Sequence, residues 1–412
     1  MQWPGVEDSR SGNRLTAERP LKMAAVVALL ALTVLDRFGL RWGELYTAHP
    51  AMLAMYGLLA VVLLTGAAEL NARGSVSYAV VAAIGALSYL VNANFGVGQH
   101  VSAGSWLLML TLYLPFVFSL RKDAVGTSLW PWVVNLYVGF ALFIAAAGIA
   151  QFLAQFVYRP AWLFDYTPLI PAPIRGFEVW KGVHLVGEWY KSNGFFLREP
   201  SFLSLHMGFA LLCELCLARR RWVMAVLGLA LLLSYSGSGL LVLAVALLFP
   251  LGRHSLLRFA AVGAAAALLF YLFGDALQLS YTVGRVGELS ADTSSAYCRF
   301  IHPAVVTVQD FDANPWTSLL GHGPGTLHKM YDTCETTFAK VPFEYGLLGT
   351  LAFGMLALAA LGRPSVPSRI RAGLAVQWLT QPYLLGAEWV LLAYMLCAMW
   401  PQAQAASGPR TP

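Results

Sequence analysis

Apolar runs of spanning length repeat along the whole chain, separated by short polar, basic or glycine-rich stretches. They fall at roughly 21–40, 48–69, 76–93, 103–120 and 131–157, then after a polar gap at roughly 200–218, 222–235, 238–251, 259–278, 342–361 and 372–400. About 20 helical residues cross a hydrocarbon layer, so these runs predict about 11 or 12 membrane spans. Two runs are ambiguous. The stretch 222–251 is long for one span and short for two, but both flanks are basic and belong on one side. That splits it at Ser234-Tyr235-Ser236-Gly237-Ser238-Gly239. The run 372–400 is either one tilted helix or two short ones interrupted at Pro382 or Gly386.

The pattern predicts an all-α polytopic integral membrane protein. A cytoplasmic tail, 1–20, precedes one transmembrane domain, 21–400, and a C-terminal tail, 401–412, follows it. Two large loops, 158–198 and 279–341, lie outside. With 58% hydrophobic and 12% charged residues, no hydrophilic block is long enough to be a soluble domain. Residues 1–20 are polar and basic, but no small-residue cleavage site follows the first run, and Arg37 and Arg41 come directly after it. This predicts an uncleaved first span. Short loops holding Arg73, Arg121 with Lys122, Arg219 to Arg221, Arg253 with Arg258, and Arg363, Arg369 and Arg371 are assigned to the cytoplasm.

The net charge of +6 is spread over separate loops, which argues against a nucleic-acid partner. Of the 27 basic residues, eleven stay on the outer side: Arg37, Arg41, Arg159, Arg175, Lys181, Lys191, Arg198, Arg285, Arg299, Lys329 and Lys340. Positive charge kept there against the topological bias suggests an anionic ligand; ordinary solvated loop charge is the alternative.

Arg198-Glu199-Pro200-Ser201 opens the span that starts near Phe202. Charges at the rim of a lipid-embedded helix usually face a polar cavity. In one reading Arg198 grips a phosphate and Glu199 is a base or orients a hydroxyl, helped by the helix amides behind them. In the other, Pro200 simply starts a helix beside a snorkelling arginine. His206, two turns on, reads as a packed or cavity-lining side chain. The serine–glycine stretch 234–239 allows close helix approach or is a tight interhelical turn.

The glycine-rich turn Leu319 to Gly325 lacks the Gly-Lys-Ser/Thr ending of a nucleotide loop and follows no strand. Asp310-Phe311-Asp312 matches a two-aspartate metal pattern that is common by chance, and no metal or cofactor is expected. Cys213, Cys216 and Cys397 fall in spans. Cys298 and Cys334 share the second outer loop and can pair if that side is oxidising.

Taken in order, these elements resemble one family. Gly-x-x-x-Arg-Glu-Pro-Ser (Gly194 to Ser201) follows a long outer loop, and Ser-x-Ser-Gly (Ser234 to Gly237) lies between short spans. A second outer loop carries Arg299 and Leu-Leu-Gly-x-Gly-x-Gly (Leu319 to Gly325). Phe343-Glu344-Tyr345-Gly346-Leu347-Leu348-Gly349 then enters the next span. The chain is similar over about 130–360 to the O-antigen ligase and Wzy-type polysaccharide polymerase superfamily. It departs from the ligases in lacking a histidine at Tyr331 to Phe338.

The resemblance implies an inverting glycosyltransferase of the bacterial inner membrane, working on the periplasmic face. It would move a glycan from one undecaprenyl-pyrophosphate carrier to the next lipid-linked repeat unit. Arg198, Glu199 and Arg299 become catalytic candidates, and Arg175, Arg285, His322 and Glu344 substrate-binding candidates. The implied partners are the lipid-pyrophosphate-linked oligosaccharide and the bilayer; a chain-length regulator is left open. The alternatives are a ligase that passes a finished glycan to lipid A core, and a transporter or flippase of a lipid-linked or anionic substrate.

Overall fold

The computed structural model describes residues 8–42, 46–96, 100–176, 185–248, 296–313, 315–331, 333–380 and 384–401, with isolated positions between 257 and 294. Among these the chain is predominantly helical. The long elements are α1 (Asp8–Thr33), α2 (Pro50–Leu64), α3 (Ala72–Phe95), α4 (Ala103–Tyr113) and α5 (Leu129–Ala154). A single turn, α6 (Ala161–Phe164), lies in the first loop. Then follow α7 (Pro200–Cys216), α8 (Arg221–Leu233), α9 (Ser238–Leu248), α10 (His302–Ala313), α11 (Pro315–Leu320), α12 (Leu327–Met330), α13 (Thr337–Leu361), α14 (Ser368–Thr380) and α15 (Ala387–Ala393).

Three of these helices, α3, α5 and α13, are long and apolar enough to cross a membrane, and several shorter helices are equally apolar. Large apolar side chains stand exposed on their outer surfaces, among them Leu64, Val76, Leu90, Leu351 and Leu358. Water disfavours a continuous apolar surface of this kind, whereas hydrocarbon accepts it.

Several boundaries differ from the hydropathy pattern, each for a local reason. The run 21–40 stops being helical at Thr33, and the polar pair Asp36-Arg37 leaves the helix to find buried partners. The run 103–120 breaks near Pro115 into a 3₁₀ turn and a strand. The run 342–361 begins earlier, at Thr337, and carries Pro342 and a kink at Gly346. The run 222–251 divides at Ser234–Ser238 as expected, and 372–400 resolves into two helices, α14 and α15, with the second extended by a π turn, Tyr394–Ala398. The predicted span 259–278 lies almost entirely outside the described residues.

Three two-stranded antiparallel ladders, not anticipated from the sequence, tie loops together at the helix ends. One pairs Leu40–Trp42 with Tyr46–Ala48. Another pairs Leu185–Val186 with Trp189–Tyr190. The third pairs Ala68–Leu70 with Phe118–Leu120 at the opposite end, where the Leu120 amide also donates to the Met399 carbonyl at 2.6 Å. The bundle therefore has two ends. One carries Arg73, Arg121, Arg363 and Arg371; the other gathers the starts of α2, α7 and α15 and the described residues of 158–198 and 296–337.

The Ser234–Ser238 turn docks on α7. Ser204 Oγ donates to the Ser236 carbonyl at 2.8 Å and accepts the Gly239 amide at 2.9 Å. A Cβ on Gly239 would stand 1.8 Å from the Ser204 carbonyl oxygen, while one on Gly237 would meet nothing within 4 Å. Gly239→Ala is therefore expected to cost about 2 kcal/mol or more, by the usual toll of overpacking, and Gly237→Ala to be close to neutral. Thermal unfolding of the detergent-purified variants measures the contrast.

Candidate functional site

The start of α7 is built by an ion network that no single stretch of sequence contains. Arg198 donates to Asp36 through its backbone amide (2.9 Å), Nε (3.2 Å) and Nη2 (3.1 Å), and its Nη2 also bonds Glu388. Asp36 and Glu388 are both buried. Asp36 lies just beyond α1, Glu388 in the first turn of α15, and His49 caps α2. His49 Nε2 reaches the Asp36 carbonyl at 3.1 Å and Glu388 Oε1 at 3.3 Å. Next in sequence to Asp36, the buried Arg37 donates to Asp165 (2.6 Å), Thr167 (2.8 Å) and the carbonyls of Phe164 and Leu197. Two adjacent residues thus clamp the segment 164–167 and the chain entering α7.

Burial alone would raise the Asp36 carboxyl, but Arg198 and His49 outweigh it and hold the group well below the ordinary carboxylate range. Burial would lower His49; Glu388 and Asp36 outweigh it and hold the imidazole above its ordinary value. His49 Nδ1 accepts the Ala51 amide at 3.1 Å, which fixes the neutral tautomer with its proton on Nε2, so protonation gains charge pairing at the cost of a helix cap.

The guanidinium that the sequence offers to a phosphate is therefore engaged by two carboxylates, which revises the expected role of Arg198. The neighbouring Glu199 is different. It is buried and does not cap its own helix; it accepts the Ser201 hydroxyl at 2.7 Å and faces Arg299 Nη2 at 3.8 Å. Arg299 Nε is buried with no hydrogen-bond partner among the described residues. Arg299 rides on a π turn, Tyr297–Ile301, joined to the segment before α13. The Cys298–Cys334 disulfide, with Cα atoms 5.4 Å apart, makes that joint, and Thr336 Oγ1 donates to the Arg299 carbonyl at 3.0 Å.

The two glycine-rich motifs cross backbone to backbone. Gly321 and Gly346 both have positive φ, and a Cβ on either would lie 2.3–2.4 Å from the other segment's main chain. His322 and Gly323 amides donate to the Phe343 and Glu344 carbonyls, both at 2.9 Å. His322 stacks on Phe343 and bonds Asp310 through Nε2, leaving its Nδ1 buried and unpartnered among the described residues. The wholly buried Glu344 faces Lys340 at 3.4 Å, and Lys340 also holds Glu335 at 2.6 Å.

Arg175 donates to the carbonyls of Ile170 and Pro168 and so ties down its own loop. Arg285 lies outside the described residues. His206 is packed as expected, bonded to Tyr137 at 3.1 Å and set against Trp389.

Sequence reasoning missed Asp36, His49 and Asp165. The one signal for them was an Asp-Arg pair directly after an apolar run. Asp36, His49 and Glu388 have the spacing of a metal site, with ligand atoms within 4.8 Å of one another, but Arg198 already supplies the positive charge an ion would bring. Asp310 is likewise spent on His322 and Thr317. The site defines a predominantly helical protein with a buried acid–arginine constellation at one end of its bundle. No family model, curated protein or solved structure matches the chain.

A raised folded-state His49 contributes stability that is fully present below about pH 6.5, its unfolded value, and is lost as pH rises through the higher folded value. The thermal midpoint is expected to fall between pH 6 and pH 9 in wild type, and His49→Gln to flatten that slope. Asp36→Ala, which removes one of the two carboxylates on a partly buried guanidinium, is expected to cost about 1.5–3 kcal/mol in chemical unfolding.

Proposed function

We propose that this chain is a polytopic glycosyltransferase of the bacterial inner membrane that polymerises lipid-linked repeat units of a surface or exported polysaccharide on the periplasmic face. The observation that carries the reading is the meeting of Glu199 and Arg299, brought together from two outer loops 100 positions apart in sequence. Transfer needs an acceptor hydroxyl to attack the anomeric carbon while its C–O bond to the pyrophosphate breaks. Glu199 takes the hydroxyl proton, and Arg299 presents its guanidinium to the phosphate oxygen that gains charge. Pyrophosphate is already a good leaving group, so no strong acid is required, and displacement inverts the configuration.

In this reading Arg198 is a positioning residue that aims Glu199 through the backbone they share. His322 and Glu344 shape the wall contributed by the crossed glycine motifs. The disulfide beside Arg299 suits an oxidising compartment, which supports the periplasmic placement of this end. The exposed apolar belt and the recurring apolar runs support about 11 or 12 spans.

Profiling carrier-linked glycans in cells lacking the protein tests the proposal. Deletion is expected to leave single repeat units on the carrier, and wild type to restore long chains. Arg299→Ala and Glu199→Gln, expressed at wild-type level, are expected to reduce polymer about 100-fold or more, as loss of an acid–base group or an oxyanion donor does. Long chains stranded on the carrier would identify a ligase. An empty periplasmic pool with intact units inside would identify a flippase. Normal polymer from both variants would remove the site assignment.

A further inference from the structure

The exposed stripe of α13 continues onto a neighbouring helix. Leu358, Met355, Leu351 and Leu347 form that stripe, all large, apolar and exposed. Beyond the kink at Gly346 the chain is covered, and most of 337–345 is buried. What lies over the kink is the short helix α11, whose Leu319 main chain would stand 2.4 Å from a Cβ on Gly346. The large apolar side chains it turns outward are Trp316, 83% exposed, and Leu319. Its polar side chains are spent within the protein. Thr317 Oγ1 donates to Asp310 at 3.3 Å, and Ser318 Oγ donates back to the Pro315 carbonyl at 2.5 Å.

Two long helices measure the level at which α11 sits. Ser88 stands about 22 Å up α3 from Arg73, at about 1.5 Å per residue. Its hydroxyl donates to the Leu320 carbonyl at 2.7 Å and lies 3.0 Å from the Glu344 carbonyl, so α3, α11 and α13 are tied at one level. Gly346 stands about 26 Å up α13 from Arg363. The hydrocarbon of a bilayer is about 30 Å thick. With its near edge at Arg73 and Arg363, α11 lies just inside the far edge rather than in the water beyond. There every backbone group needs a protein partner, and the Leu320 carbonyl has one. Tryptophan favours that boundary, where its ring meets the apolar layer and its N–H the headgroups.

We propose that α11 is an interfacial helix, with Trp316 and Leu319 seated in the lipid of the outer leaflet as a continuation of the α13 stripe. This seating rests on the membrane reading above and not on the transfer chemistry. The Thr317–Asp310 bond passes the seat on to α10, which follows directly from the turn carrying Arg299. The start of α10 is thereby held at the bilayer surface.

Spin labels on Trp316→Cys, Leu351→Cys and Lys122→Cys test the seating in the full chain, reconstituted into phosphatidylcholine–phosphatidylglycerol nanodiscs, with the signal of labelled wild type subtracted. Leu351 is the lipid reference and the exposed Lys122 the water reference. The label at 316 is expected to collide with dissolved oxygen and to be shielded from a water-soluble nickel chelate, as at Leu351. Nickel access as at Lys122 would overturn the proposal. So would shielding from both reagents, which would put protein over the face, either a second copy or another part of this chain. Nickel access at 351 as well would remove the membrane reading itself, whereas lipid at 351 with water at 316 would remove the seating of α11 alone. Tryptophan emission gives a second measurement without a new cysteine. Trp316→Phe is expected to delete a component of the wild-type emission that is quenched by phosphatidylcholine brominated high on its acyl chains and not by acrylamide. A deleted component quenched only by acrylamide would contradict the seating.

Discussion

The bond between Arg198 and its two buried carboxylates, Asp36 and Glu388, is the constraint on which this end of the molecule depends. Three helix ends and the strap leading into α7 meet there. Charges taken out of water are stable only when each finds its partner, so the group forms together or not at all. With Asp36 fixed, Arg37 is fixed beside it, and through Asp165 and the Leu197 carbonyl it holds both ends of the chain between α5 and α7. The direction of α7 follows, and with it the position of Glu199.

The two ends of the bundle handle positive charge differently. At the α7 end arginines are engaged by carboxylates, loop carbonyls or, for Arg299, a single carboxylate at arm's length. At the other end several basic residues have local acidic partners, whereas Arg363 is buried with donors to spare. In the proposed membrane reading a bilayer accounts for the division: hydrocarbon covers the exposed apolar side chains between the ends, and charges are left to the rims. The tight Gly321–Gly346 crossing keeps the glycine-rich turn Leu319 to Gly325 seated on α13, and the disulfide restrains Arg299 beside it.

Much of the fold was legible because burial in helices is written locally. Hydropathy located α1 to α5, α7 to α9 and α13 to α15 but not the loop helices α6 and α10 to α12, the serine–glycine stretch marked the α8–α9 turn, and Cys298 and Cys334 stood in one loop as potential partners. The ends of helices were less legible. Thr33, Pro115 and Gly346 end or bend helices because of tertiary partners or local sterics that average out in an apolar window. The site was half legible. Glu199 and Arg299 could be named from their motifs, but their proximity could not. Arg198 read as a free cation because Asp36 and Glu388 lie 162 and 190 positions away. No local pattern announces a partner at that separation. His49 carried no signal at all, since a histidine before a proline reads as a helix start.

The central claim, that Glu199 and Arg299 together perform glycosyl transfer from a pyrophosphate carrier, is tested most directly with purified protein and one substrate. Detergent-solubilised wild type, given the lipid-pyrophosphate-linked repeat unit alone, is expected to build a ladder of longer chains and release free carrier pyrophosphate in equal step. Arg299→Lys is expected to retain binding of the lipid-linked unit while losing most of the turnover, because an ammonium cannot present the forked donors of a guanidinium. A ladder formed at wild-type rate by Arg299→Lys and Glu199→Gln, or carrier release without chain growth in wild type, would contradict the account.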